Sequence, residues 1–331
     1  MLTNLKEVSY SPLSTQESYK AELVDGLCSV KSTADQNLLA RVNVDGEKLH
    51  LSIEESSSSR PTMMGLVAIE YLISHHPEIK SVDIKSSYPL DYPFTVLGSS
   101  FERFEFYQMP TLWHHTKEYK ISPEKWTKLE DGRTYPIRPA PHKGMVYKRF
   151  VPQLDMTITF RMTDPERDLN QFHEWHNQSR VSFYWELNKP IEELKDYMEK
   201  GHMTPHQIPM VVEINGEMVG YYEMYWVRED RLGPYYESDA FDRGFHFLIG
   251  NKKFLGAKIT DSIVKSGLHL LYLDDARTRR VMAEPRHDNQ KVLKYAEASI
   301  GWKQLKIFDF PHKRAVLLEN SREVFFGGNA L

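Results

Sequence analysis

Cysteine is almost absent: the 331 residues contain one, Cys28. A single thiol forms no intrachain disulfide and cannot supply the ligands of a zinc knuckle or an iron–sulfur cluster. An excess of either charge is missing too. Lys and Arg number 42 against 46 Asp and Glu, a net charge of −4 with His neutral, so the basic bias of a nucleic-acid footprint is lacking. No run approaches the roughly 18 apolar residues of a spanning helix, and mean hydropathy is −0.53. The opening MLTNLKEVSYSPLSTQESYK has no basic region followed by an apolar one. A soluble protein of the reducing cytoplasm is the expectation.

What is present suffices for real cores: 40% of residues are hydrophobic and 12% aromatic. The length suggests two domains, or one domain with a large extension. Residues 1–140 read as an α/β unit without an evident catalytic set. In it, alternating apolar residues flank Asp45-Gly46, the signature of a hairpin. Pro61 opens a helix with Leu66, Ile69, Leu72 and Ile73 on one face, and FERFEFYQMP alternates like a strand. The stretch from Asp131 to Gly144 holds Pro136, Pro139 and Pro141 with few apolar residues, and is expected to be an extended, exposed linker. Residues 141–331 then read as strand, helices, a hairpin turning at Asn215-Gly216, strand, helix, strand, helix and two strands, an α/β (α+β) order.

Within that order, GFHFLIGNKKFLGAKITDSIV is a strand, a loop with Gly250 and Gly256, and a helix start carrying Lys252, Lys253 and Lys258. Such a turn lets backbone N–H groups approach a phosphate at the positive end of a helix, although the same pattern also occurs as a plain turn. The element order and this loop resemble the GNAT acyl-CoA acyltransferases. Their Gln/Arg-x-x-Gly-x-Gly/Ala loop corresponds to Lys253 through Lys258, with Lys at both ends.

Four further segments narrow the resemblance: RVSFYWE (180–186), FDRGFHFLIG (241–250), RTRRVMAEPRHDNQK (277–291) and FDFPHKR (308–314). They are similar to the acyltransferases of hydroxamate siderophore assembly, whose members acylate N-hydroxylysine, N-hydroxyputrescine or N-hydroxycadaverine with acetyl or succinyl groups. The likeness covers about residues 145 to 325, and the N-terminal half resembles the extra, degenerate GNAT-like domain of the larger members. It implies an acetyl-CoA or succinyl-CoA donor, no metal, and a small N-hydroxylated amine as acceptor. The siderophore synthetase and amine N-monooxygenase of the same pathway are implied partners, with no nucleic acid and no membrane.

The resemblance also assigns residues. His246 and Asp288 are the implied catalytic pair, the carboxylate holding the imidazole in one tautomer while it takes a proton from the attacking nitrogen. Each has a plainer role open to it: a satisfied strand histidine, and an N-cap. Phe247, Leu248, Ile249, Lys253, Phe254, Gly256, Ala257, Lys258 and Asn289 are the implied donor-binding set. Tyr184, Trp185, Glu186, Glu223, Tyr225 and Trp226 are acidic and aromatic candidates for an acceptor ammonium. His312-Lys313-Arg314 is a solvated turn, a lid or a carboxylate contact. Direct attack in a ternary complex is expected, because Cys28 lies outside the catalytic half.

Two other classes remain. His173 and His176 stand three apart on an expected helix, with His75-His76 and His114-His115 as further pairs, but no H-E-x-x-H occurs. A non-catalytic acyl-CoA-binding module is the other. The residues do not choose between acetyl and succinyl, nor among the acceptors.

Overall fold

The computed structural model describes residues 2–58, 61–115, 124–299, 301–328 and 331. The chain forms two compact units, 1–116 with 148–156 and 331, and 117–147 with 157–330.

The first unit is a seven-stranded sheet whose spatial order follows the sequence. Its strands are β1 (Leu5–Tyr10), β2 (Tyr19–Val24), β3 (Leu27–Ser32), β4 (Asn37–Asp45), β5 (Lys48–Ser56), β6 (Ser81–Ser86) and β7 (Ser100–Glu102). Helix α1 (Thr62–His75) crosses from β5 to its parallel neighbour β6 and is apolar almost all round, as a covered helix must be. Short helices α2 (Phe94–Leu97) and α3 (Arg103–Phe106) follow. The expected strand FERFEFYQMP is α3 beyond Glu102, because Glu102 and Glu105 form a capping box that starts a helix there.

The second unit carries a small ribbon, β8 (Trp126–Lys128) with β9 (Thr134–Pro136). A large eight-stranded sheet contains β10 (Met145–Val151), β11 (Met156–Met162), β12 (Gln207–Ile214), β13 (Glu217–Trp226), β14 (Arg243–Ile249), β15 (Arg280–Ala283), β16 (Trp302–Asp309) and β17 (Arg314–Ser321), of which β12 to β17 belong wholly to the second unit. The order is β10-β11-β12-β13-β14-β15-β17-β16. Three helices, α4 (Pro165–His176), α5 (Ser179–Trp185) and α6 (Ile191–Met203), join β11 to β12. Helix α7 (Ala257–Asp274) links β14 to its parallel neighbour β15, and α8 (Gln290–Ala298) precedes β16; α9 (Arg322–Gly327) closes the fold.

The boundary differs from the expected 140/141. The proline-rich stretch belongs to the second unit and is anchored rather than free. Arg138 pairs with Glu229 at 2.5 Å, both side chains 3% exposed, and its guanidinium lies 4.0 Å over the ring of Trp226. Few apolar residues do not make a linker when the cations find buried partners.

The two units repeat one motif: an antiparallel hairpin, a crossover helix, then a parallel strand paired on its far side with an antiparallel one. They differ where it matters. β5 and β6 pair at six successive positions, Lys48 to Ile53. β14 and β15 pair at two, Arg243 with Val281 and Gly244 with Met282, and then part. Beyond Gly244 the edge of β14 opens a wedge in the sheet.

Candidate active site

Strand geometry brings the key side chains together. In the antiparallel β13–β14 pair, Glu223 stands opposite His246 and Tyr225 opposite Gly244. Residues two apart share a face, so all four positions look the same way. Gly244 is level with Met282 of parallel β15, which puts Glu284, two residues on, at the height of His246. There β15 has ended, and Pro285 follows with no N–H to extend a ladder.

His246 is clamped between two carboxylates: Nδ1 lies 3.2 Å from Glu223 Oε2, and Nε2 lies 2.7 Å from Glu284 Oε1. Burial opposes its charged form, but Glu284 and Glu223 outweigh burial and push the imidazole up to about 9. Burial likewise favours neutral Glu284, yet His246, Lys313 and Arg231 hold it well below the usual carboxylate range. Glu223 is also lowered: burial resists, while His246, Tyr197 and Tyr221 prevail. Tyr197 of α6 and Tyr221 donate to Glu223 Oε1, and Tyr225 donates to Glu284 Oε2 at 2.9 Å. The ring of Tyr225 lies 4.9 Å from that of His246, tilted 34° to it.

This group faces a cavity of about 850 Å³ that follows the wedge. One side is built by Phe247 and by Gly256, Ala257 and Thr260 at the start of α7, with Asn289, Val292 and Tyr295 around α8. The other side is Tyr184, Trp185, Glu186 and Tyr197, with Arg231, His312 and Lys313 from two loops. The start of α7 suits an anionic group: Gly256 precedes it, no side chain caps it, its first turn has no acid, and a Cβ on Gly256 would meet nothing within 4 Å. Its first N–H groups therefore keep their donors for a ligand. With the open edge of β14 beside it, this side fits a thioester carrying a pyrophosphate.

The expected residues divide. Tyr184, Trp185, Glu186, Glu223, His246, Phe247, Gly256, Ala257 and Asn289 all line the cavity. Tyr225 positions Glu284 from beneath. Trp226 is not a ligand of an acceptor but is held between the guanidinium groups of Arg138 and Arg243, 4.0 and 3.9 Å from its ring. The Leu248 side chain shares a face of β14 with His246 but lies two residues further along, buried in a core with Phe172, Trp175 and Tyr221 instead of lining the cavity. Ile249 and Phe254 are buried outside the cavity lining. Lys253 pairs with Glu217 at 2.5 Å, and Lys258 is exposed without lining the cavity.

Asp288 needs correction as the partner of His246. It is an exposed residue paired with Arg286 at 3.1 Å, and both imidazole nitrogens are taken by Glu223 and Glu284. Glu284, Tyr197 and Arg231 went unassigned. Only Glu284 left a trace, as an acid placed between a strand and a proline. His176 is a core residue, with Nδ1 2.9 Å from the Phe172 carbonyl and burial pushing its pKa down to about 4. Among the described residues, no three His, Cys, Asp or Glu side chains are placed to hold a metal ion.

The chain is similar to known proteins. The Acetyltransferase (GNAT) domain family matches residues 164–310. The N(6)-hydroxylysine O-acetyltransferase of Escherichia coli is 35% identical over 224 residues, 68% of this chain and 70% of that protein. The N(5)-hydroxyornithine:cis-anhydromevalonyl coenzyme A-N(5)-transacylase of Beauveria bassiana is 39% identical over 197 residues, 58% of this chain and 43% of the other. Among solved structures, an uncharacterized protein from Bacillus halodurans superposes with a TM-score of 0.54 at 26% identity, covering 57% of this chain and 98% of that one. With a wedge between β14 and β15, a carboxylate-clamped histidine at its mouth and these relatives, the chain belongs to the GNAT acyltransferases of siderophore biosynthesis.

Proposed function

We propose that the cleft transfers an acyl group, acetyl by preference, from acyl-CoA to the nitrogen of an N-hydroxylated alkylamine, giving a hydroxamate. The observation that supports this most is His246 held between Glu223 and Glu284 at the mouth of the wedge. Acyl-CoA supplies an activated carbonyl with a thiolate leaving group. The chain does the rest. The N-terminus of α7 holds the anionic part of the donor, and the free edge of β14 offers backbone N–H groups to the carbonyl oxygen as it gains charge. Trp185 and Tyr197 wall the acceptor beside His246.

The new N–C bond forms as C–S breaks, and the nitrogen gives its proton to the imidazole. Glu284 and Glu223 raise the basicity of that imidazole and fix its orientation. A hydroxylamine nitrogen is largely unprotonated near neutrality, so positioning supplies much of the acceleration. Nitrogen is also the better nucleophile, which favours the hydroxamate over the O-acyl product that the Escherichia coli relative's name describes.

The first unit acts as a scaffold in this reading. Its six-position β5–β6 pairing leaves the equivalent strand edge occupied.

The test is release of free CoA from acetyl-CoA and succinyl-CoA with N-hydroxylysine, N-hydroxyputrescine and N-hydroxycadaverine, and with the plain amines as controls. Products are scored for the iron(III) colour of a hydroxamate. Colour with hydroxylated acceptors alone supports the proposal. Equal turnover of plain amines points to an ordinary amine acyltransferase, colourless O-acyl product reverses the choice of atom, and CoA binding without turnover favours a binding module.

A further inference from the structure

Arg231 stands in the loop between β13 and β14, its side chain half exposed in the cavity lining. Its closest carboxylate is Glu284, 3.5 Å away. That carboxylate is already divided. His246 Nε2 takes Oε1 at 2.7 Å, Tyr225 donates to Oε2, and Lys313 Nζ approaches Oε1 at 3.6 Å while donating to the Glu284 carbonyl at 2.7 Å.

The other acids near the cavity have hydrogen-bond partners of their own. Glu223 receives His246 and two tyrosines. Asp230 accepts from the Leu232 N–H and faces His206 at 4.0 Å, and it reaches Arg231 through its field and not through a hydrogen bond. Asp288 is paired with Arg286, and Glu186 lies within the field of the same Arg286. Two permanent cations, Arg231 and Lys313, thus converge with His246 on one carboxylate with 1% exposure, and of the three only His246 has a second carboxylate, Glu223, within 4 Å among the described residues. Arg231 Nη2 also lies only 3.3 Å from His246 Nε2. Among the described residues, no carboxylate closes the Arg231 fork from two sides.

Such a surplus calls for an anion from outside, and a guanidinium fork beside an ammonium suits a carboxylate. Arg231 and Lys313 come from the β13–β14 and β16–β17 loops, not from α7 or α8, which build the donor side. We propose that Arg231 and Lys313 bind a carboxylate of the acceptor, so that the acceptor is an N-hydroxylated amino acid rather than the corresponding decarboxylated diamine. The assignment rests on the acyl-transfer reading above and names the substrate class within it.

Acceptor pairs that differ only in the carboxylate test it: N6-hydroxylysine against N-hydroxycadaverine, and N5-hydroxyornithine against N-hydroxyputrescine, each with acetyl-CoA and succinyl-CoA. The wild-type protein is expected to favour the amino acid in kcat/KM by about 10- to 100-fold, the range of a hydrogen-bonded charge. Arg231→Met should erase that preference by raising KM for the amino acid at least ten-fold more than KM for the diamine, and Arg231→Lys should restore part of it. Wild-type preference for the diamines overturns the carboxylate site while leaving acyl transfer intact. Equal losses for both acceptors in Arg231→Met place its role in holding Glu284 and overturn it as well. Selective loss of succinyl-CoA turnover assigns the carboxylate to the donor, against the proposal. Absence of turnover with every hydroxylated acceptor removes both readings.

Discussion

The ring of Tyr225 lies flat against Gly244: a Cβ at that glycine would come within 2.4 Å of the ring. Only a bare backbone lets the tyrosine cross from β13 over β14 and place its hydroxyl 2.9 Å from Glu284, just past the end of β15. Gly244→Ala is therefore expected to displace Tyr225, at a stability cost of about 1–3 kcal/mol for forced overpacking, and to lower kcat more than KM. Tyr225→Phe keeps the ring and removes one hydrogen bond, so it should melt near wild type yet lose activity. Thermal melting beside CoA-release kinetics separates the two effects.

His246 and Asp288 should behave very differently. His246→Ala removes the group at the centre of the carboxylate clamp and should lower kcat/KM by about 10²–10⁴-fold. Asp288→Ala removes an exposed partner of Arg286, a surface change of the kind that stays within about 0.5 kcal/mol. Its kcat/KM should stay within about three-fold of wild type by the same measure. A large loss in Asp288→Ala would restore it to the catalytic role the sequence resemblance gave it.

The pH dependence follows from the same clamp. The imidazole must be neutral to accept a proton, and its pKa stands at about 9 against burial, through Glu284 first and Glu223 next among the groups that raise it. In the free protein, log kcat/KM should rise with pH and level off near 9. Replacing Glu284 with Gln withdraws the main charge favouring imidazolium, so the rising limb should move to lower pH while the plateau falls. A limb that stays in place in Glu284→Gln assigns the titration to another group.

How much of this was legible in the residues depended on range. The Asn215-Gly216 turn and the alternation around His246 are local signals, and they fixed the hairpin and the face that His246 occupies. The Gly256 turn, also local, correctly marked the start of α7. Glu284 was invisible because its role comes from parallel pairing across an 18-residue helix, which sets Gly244 level with Met282. Asp288 was chosen over it by position in a familiar motif, four residues too late. Strands β1 to β3 also escaped, since each is only six residues long and β1, at the sheet edge, buries a single side chain, which leaves a short period-two signal. The proline-rich stretch misled for another reason: a linker composition says nothing of a buried Arg138–Glu229 pair made 91 residues apart.

The first unit has its own titratable centre, and it should make stability depend on pH in the opposite sense to an ordinary ion pair. Glu70 on α1 is 1% exposed, and burial pushes its carboxyl up to about 7, although Arg149 and Arg103 pull the other way. An acid whose folded pKa lies above its unfolded value binds protons more tightly when folded. Its contribution is complete below the ordinary carboxylate range and is lost as pH rises through about 7. The whole span is on the order of 3 kcal/mol. Gln cannot ionise, so Glu70→Gln should gain stability relative to wild type between pH 5 and pH 8. Urea unfolding of both proteins at these two pH values measures the change. A constant difference between them would mean that Arg103 and Arg149 keep Glu70 charged throughout, as a buried ion cluster rather than a neutral acid.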